Sequence, residues 1–250
     1  MQATIAVVVL EGPVDADPTW SFDRYQAYQE VRFQQSLAEQ EQVLSGGLVA
    51  DPKSQPHGGY RIACVWPEEV TASACALSAR LAELLPETPA YPYQALNSSV
   101  GNIAAPGARL VDPDRNPEDR KLLDCLTDAA AAALERAQDS GTQRVAFDPA
   151  LLARRMAFIF GRPQGGYWAL HSAIHAACAA RSVELVPSWG PHLTLTRFGR
   201  PAPPEEAARV LSELKGWAAV TAAPTAILVG WYTVGPGVFR VDPHHTITLT

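Results

Sequence analysis

The sequence predicts an α+β (α/β) protein with two similar lobes facing each other across a cleft. Three observations carry this. Short β-branched or apolar runs alternate with amphipathic helical stretches, and few of the links are short enough for hairpins. The order helix, strand, helix, two strands occurs twice. No Gly/Ser linker divides the chain, so residues 1–250 read as a single two-lobed domain. With 250 residues, 47% hydrophobic and 18% charged, the chain can bury a full core.

The elements follow in order. Thr4 to Leu10 is a β-branched run, expected as a strand. No basic residue precedes it and Glu11 ends it, so it is too short for a membrane span and unlike a leader peptide. Ser21 can cap a Gln-rich helix running to Leu44, which Gly46 and Gly47 can end. Asp51 to Gly59 reads as a polar loop, and Tyr60 to Trp66 as a strand. Pro67-Glu68-Glu69 opens a helix, with proline in the first turn and acids at the positive end of the dipole. Val70, Ala74, Leu77, Leu81 and Leu84 form its apolar stripe, and Pro86 stops it. Tyr91 to Ile103 reads as a strand. Asn116-Pro117-Glu118-Asp119 opens a helix that runs toward Gly141. Val145 to Phe147 and Met156 to Phe160 are two short strands, and Trp168 to Arg181 is a helix. His192 to Phe198 is a strand, and Pro204-Glu205-Glu206 begins a helix. Ala226 to Val234 and Val238 to Leu249 are closing strands joined across Gly235-Pro236-Gly237.

The two blocks align on their central strands. Asn97-Ser98-Ser99-Val100 matches His192-Leu193-Thr194-Leu195, 95 positions apart (192 − 97), and each is followed by a proline at the same offset, Pro106 and Pro201. Side chains alternate along a strand. His192, Thr194 and Thr196 are therefore expected on one face, with Leu193, Leu195 and Arg197 on the other. Asn97 and Ser99 share a face by the same rule. A hydroxyl can donate to a phosphoryl oxygen, and an imidazole can move a proton near neutrality. A cleft between lobes is the ordinary place for such a ligand.

Pro191-His192-Leu193-Thr194-Leu195-Thr196-Arg197 resembles the second motif of the two-histidine (2H) phosphoesterase superfamily, which includes 2′,5′ RNA ligase-like and cyclic phosphodiesterase proteins. That motif is a histidine, any residue, threonine or serine, then an aliphatic. The resemblance covers about Tyr60 to the C-terminus, with Thr4 to Leu10 as the opening strand. It leaves residues 11–58 as an insertion or extension. It implies two pseudo-symmetric lobes, each an antiparallel-type sheet with flanking helices. It also implies a reaction in which one motif histidine takes a proton and the other gives one, with no cofactor and no metal. Carried over, His192 becomes the general acid or base, and Thr194 and Ser99 become phosphate clamps. The first motif histidine is replaced by Asn97, which cannot transfer a proton but can hydrogen-bond a phosphate. Loss of one proton-transfer group typically costs ~10²–10⁴-fold in rate.

Other candidate positions have plainer readings. His57, in the loop Pro56-His57-Gly58-Gly59, reads first as a solvated histidine, although it could swing over a cleft. His171 and His175 lie four apart on a helix, a spacing that can bind metal, but no third ligand accompanies them and a half-buried face is the simpler account. His244-His245-Thr246 imitates the motif on a strand outside the motif position; it reads as structural, but it is the chief rival position for a second catalytic histidine. Tyr167 and Trp168, after Gly165-Gly166, are candidates for stacking on a base at the cleft mouth; ordinary turn chemistry is the plainer reading of that segment.

A formal charge of −6 argues against long duplex nucleic acid, while a small nucleotide or short oligonucleotide remains compatible. No segment suggests a membrane partner. The spacing of Cys64, Cys75, Cys125 and Cys178 fits no zinc or redox pattern, and reduced thiols imply a cytoplasmic setting. Three functions compete: a metal-independent phosphodiesterase acting on a cyclic phosphate or 2′,5′-linked nucleotide, an impaired homologue that binds a nucleotide or phosphorylated metabolite without cutting it, and a cleft unrelated to phosphate.

Overall fold

The computed structural model describes residues 16–51, 57–92, 96–137, 141, 143–235 and 238–249. The strand expected at Thr4–Leu10 lies outside the described residues. Five α-helices and nine strands are described. Ser21 caps α1 (Phe22–Gly46) by accepting from the Arg24 amide, and Gly47, with φ of 80°, ends it. α2 (Glu68–Leu84) begins after Pro67 with Glu68 and Glu69 in its first turn, and buries Val70, Ala74, Leu77 and Leu81. α3 (Pro117–Ala137) starts at Asn116-Pro117 as expected. Its buried Asp119 accepts from the Tyr60 hydroxyl (2.7 Å) and is ion-paired to Arg109, whose guanidinium holds the carboxyl well below the usual carboxylate range. α4 (Gly165–Ala179) begins ahead of the expected Trp168, and α5 (Pro204–Leu214) buries Ala207, Val210, Leu211 and Leu214.

The strands are β1 (His57–Val65), β2 (Ser98–Ala104), β3 (Val145–Leu152), β4 (Met156–Pro163), β5 (Val186–Pro187), β6 (His192–Arg197), β7 (Val220–Ala222), β8 (Ala226–Gly235) and β9 (Val238–Thr248). They form two antiparallel sheets, ordered β5-β2-β1-β8-β9 and β6-β4-β3-β7. The fold is therefore α+β with two lobes. β5 and β7 were not expected, because two or three residues carry no readable alternation. The residues His57-Gly58-Gly59, expected in a loop, instead open β1 and pair with Val234, Thr233 and Tyr232 of β8. Gly59 fits there because the Ile103 carbonyl and the Tyr232 hydroxyl occupy the place of a Cβ.

The repeat is real in order but exchanged in space. The strands that close the first sequence block, β3 and β4, pair with β6 of the second. Those that close the second, β8 and β9, join β1 and β2. One apolar core runs between the sheets. Trp66 meets Phe147 of β3 edge-on at 4.7 Å and stacks near Tyr167 of α4 at 6.3 Å. Burying such side chains contributes roughly 1.5–3 kcal/mol each for the aliphatic and Phe members. α1 packs outside the second sheet. Phe33 lies edge-on to Phe160 of β4 (5.2 Å), and Gln40 and Glu39 accept from the Leu152 and Arg154 amides. Among the described residues no helix is long and apolar enough to cross a membrane. All four cysteines are free.

Candidate active site

β2 and β6, the two motif strands, face one another. Ser98 stitches them together: its Oγ donates to the His192 carbonyl (3.0 Å) and accepts from Trp66 Nε1 (2.9 Å). Asn97 and Ser99 from one motif, and His192 and Thr194 from the other, line one cavity of about 220 Å³. This lies somewhat below the ~300–1,000 Å³ of drug-sized pockets and suits a phosphate with part of its substituent. The four motif residues thus share one cavity wall.

Each motif strand carries a bulge at the same place. In the pairing of β1 with β2, Ile62 faces Gly101 and Ala63 faces Ser99, so Val100 is extra. In the pairing of β4 with β6, Ala157 faces Thr196 and Phe158 faces Thr194, so Leu195 is extra. One extra residue inverts the alternation beyond it. Thr196 turns inward, fully buried, and donates to the Pro89 carbonyl (2.6 Å). Arg197, expected to face away, instead lines the cavity, and so does Asn102 at the same offset in β2. Each bulge carbonyl is satisfied from a helix. Ser78 of α2 donates to Leu195 O (2.6 Å), and His175 Nε2 lies 3.2 Å from Val100 O, which also accepts from the Ser188 amide.

Two guanidiniums dominate the electrostatics. Arg61 of β1 donates from Nη1 to Asn97 Oδ1 (3.1 Å) and from Nε to Asn102 Oδ1 (3.0 Å), and lies 5.3 Å from the Tyr232 and Phe239 ring centres. The Asn97 oxygen is thereby engaged, so a hydrogen bond from this amide to an anion comes from Nδ2. Burial lowers Arg61 to about 10, so it stays charged at neutral pH. Arg197 pairs with Asp51 (3.1 Å). Sequence reasoning left out Arg61, Arg197 and Asn102.

His192 is held on its far side. Its Nδ1 lies 2.9 Å from the Gly190 carbonyl, which can only accept, so Nδ1 carries the proton and Nε2 keeps its lone pair. Trp189 stacks on the ring at 4.4 Å. Burial, reinforced by Arg61, Arg197 and Arg32 and opposed by the Gly190 bond, lowers its pKa to about 4. At neutral pH the ring is an uncharged base.

Several candidates lie elsewhere. Tyr167 and Trp168, expected at the cleft mouth, are 1% and 3% exposed and line no part of the cavity. Both fall in the first turn of α4, which turns them inward: Tyr167 into the main core, Trp168 against Tyr25 (3.7 Å, 12°) with Nε1 donating to Trp20 O (2.8 Å). His171 and His175 stack on each other at 4.6 Å within the protein, His175 holding a bulge carbonyl. His244 bonds Asp124 (2.8 Å), away from the cavity. Among the described residues no group of three His, Cys, Asp or Glu side chains is placed to hold a metal ion.

No family model matches the chain. No curated protein matches it either. Among solved structures the chain is similar to TT0787 of Thermus thermophilus, at 15% identity and a TM-score of 0.47 over 76% of this chain and 97% of that one. It is similar to E. coli LigT complexed with 3′-AMP, at 15% identity and a TM-score of 0.44 over 79% of this chain and 99% of that one. It is also similar to the MHV ns2 PDE domain, at 14% identity and a TM-score of 0.41 over 77% of this chain and 99% of that one.

Proposed function

We propose that the chain is a metal-independent phosphodiesterase of the two-histidine type running on one motif histidine, with a small nucleotide or short oligonucleotide as substrate. The observation that supports it most is the meeting, in one small cleft, of an uncharged His192, two guanidiniums and the motif hydroxyls. Thr194 and Ser99 donate to phosphoryl oxygens, and Asn97 adds an amide N–H. Arg61 and Arg197 offset the phosphate's charge and stabilise what develops on its oxygens. His192 Nε2 takes the proton from the attacking water while its Nδ1–H stays on Gly190. The donor set supports a reaction without metal. Among the described residues the cavity wall offers guanidiniums, amides, hydroxyls and one imidazole but no carboxylate, the nearby Asp51 carboxylate is engaged by Arg197, and the charge of Arg61 disfavours a divalent cation.

The test is hydrolysis of a cyclic 2′,3′-nucleotide, a 2′,5′-linked dinucleotide and an activated aryl phosphodiester, with chelator present. Turnover that falls by ~10²–10⁴-fold in His192→Ala is expected. Turnover indifferent to His192→Ala would overturn the proposal. So would phosphate binding with no turnover of any diester, which would leave a binding module.

A further inference from the structure

Both motif strands line the cleft, and in an in-line displacement the attacking and leaving oxygens lie on opposite sides of phosphorus, so with the base on β6 we assign the leaving oxygen to β2. The residue of that strand matching His192 is Asn97, which lines the same cavity and whose Oδ1 is held by Arg61 Nη1 at 3.1 Å. An amide gives up no proton in the working range. Arg61 is tied by two hydrogen bonds, lies 5.3 Å from two aromatic ring centres, and brings its charge into the cavity beside Asn97. An arriving phosphate favours the charged guanidinium further, so it keeps its proton.

We propose, resting on the phosphodiesterase reading above, that Arg61 replaces a proton donor with a fixed charge and restricts the cleft to bonds whose leaving oxygen departs unprotonated. Within the nucleotide class proposed above, the preferred substrates are then phosphoanhydrides and esters of acidic hydroxyls such as phenols or enols; esters of ribose hydroxyls, cyclic phosphates and oligonucleotide linkages among them, are still turned over, but slowly. Water oxygen forms the new bond to phosphorus and gives its proton to His192 Nε2. The bond from phosphorus to the leaving oxygen breaks, its electron pair stays on that oxygen, and the oxyanion leaves paired with Arg61. His192 then returns its proton to solvent. Products are a phosphomonoester, or a free phosphate end for an anhydride, and the conjugate base of the leaving group.

The unmodified protein is tested on methyl aryl phosphates of graded phenol acidity, beside a dinucleoside pyrophosphate and a 2′,3′-cyclic nucleotide. A steep rise of kcat/KM with leaving-group acidity is expected. Asn97→His should restore a donor, raise the rate on the cyclic nucleotide by ~10²–10⁴-fold and flatten the dependence. Arg61→Met should slow every substrate, and Arg61→Lys should recover part of that loss. A shallow dependence in the unmodified protein, with turnover still lost in His192→Ala, overturns the inference and spares the phosphodiesterase reading. Turnover unaffected by His192→Ala, or absent from all substrates, overturns both.

Discussion

At the residue scale, the tautomer of His192 decides the pH behaviour. With Nδ1–H on Gly190 and a pKa lowered to about 4, the ring is already a base in mildly acidic solution. The kcat/KM profile should therefore rise through about pH 4 and stay level across neutrality, with a fall only as Arg61 titrates near 10. A bell centred near pH 7, as two motif histidines of ordinary pKa would give, would contradict this. Ser98 makes a second test. Ser98→Ala strands Trp66 Nε1 and one bond of the His192 carbonyl, and should cost ~1–3 kcal/mol in urea unfolding. Asn97, Ser99, His192 and Thr194 were legible because two short motifs repeat. Arg61 left a signal that went unused: it is a lone cation in the apolar strand Tyr60-Arg61-Ile62-Ala63-Cys64. Arg197 was misplaced because alternation holds only for an unbroken ladder.

At the element scale, the bulges set what faces the ligand. No residue type announces them: Val100 and Leu195 are ordinary strand residues, and the extra position shows only in the pairing. Their consequence is testable. Arg197→Ala and Asn102→Ala should weaken inorganic phosphate binding measured by calorimetry, Arg197→Ala more strongly because it removes a charge; binding equal to the unmodified protein's in both would show that the inverted alternation brings nothing to the ligand. Within the span 11–58, unexplained by the motif, α1 has a structural part to play. Its Gln29 donates to the Trp189 carbonyl, its Arg32 lies 5.7 Å from the Trp189 ring, and Gln29 occupies the place a Cβ on Gly190 would take. The helix thereby braces the Ser188–Pro191 turn that fixes His192. Gln29→Leu should loosen that turn, admit water, and move the acidic limb of the pH profile upward with little change in KM. An unmoved limb would reduce α1 to packing alone. Ser21 and Gly47, the two ends of α1, were readable from capping chemistry, but its partner surface was not, since that is a tertiary fact.

At the scale of the whole molecule, the order of elements was legible and their pairing was not. The closing strands are exchanged between the sheets, so separating the blocks would take β4 from the motif strand β6 and β8 from β1, the neighbour of the motif strand β2. Three histidines add a global pH dependence. His171, His175 and His192 are all lowered below 6.5, chiefly by burial. The unfolded chain takes up protons there as pH falls through about 6.5, while the folded chain does not. Stability should be level above that point and decline progressively on acidification toward pH 4, faster than in His171→Phe, which removes one of the three; urea unfolding at several pH values checks this. The central claim is that His192 sits neutral in a phosphate cleft built from two guanidiniums. It is tested most directly by following the His192 ring through a pH titration by nuclear magnetic resonance, with and without inorganic phosphate. The structure predicts a pKa near 4, with Nδ1 protonated, that climbs when phosphate binds. A value near 6.5 that phosphate leaves unmoved would contradict it.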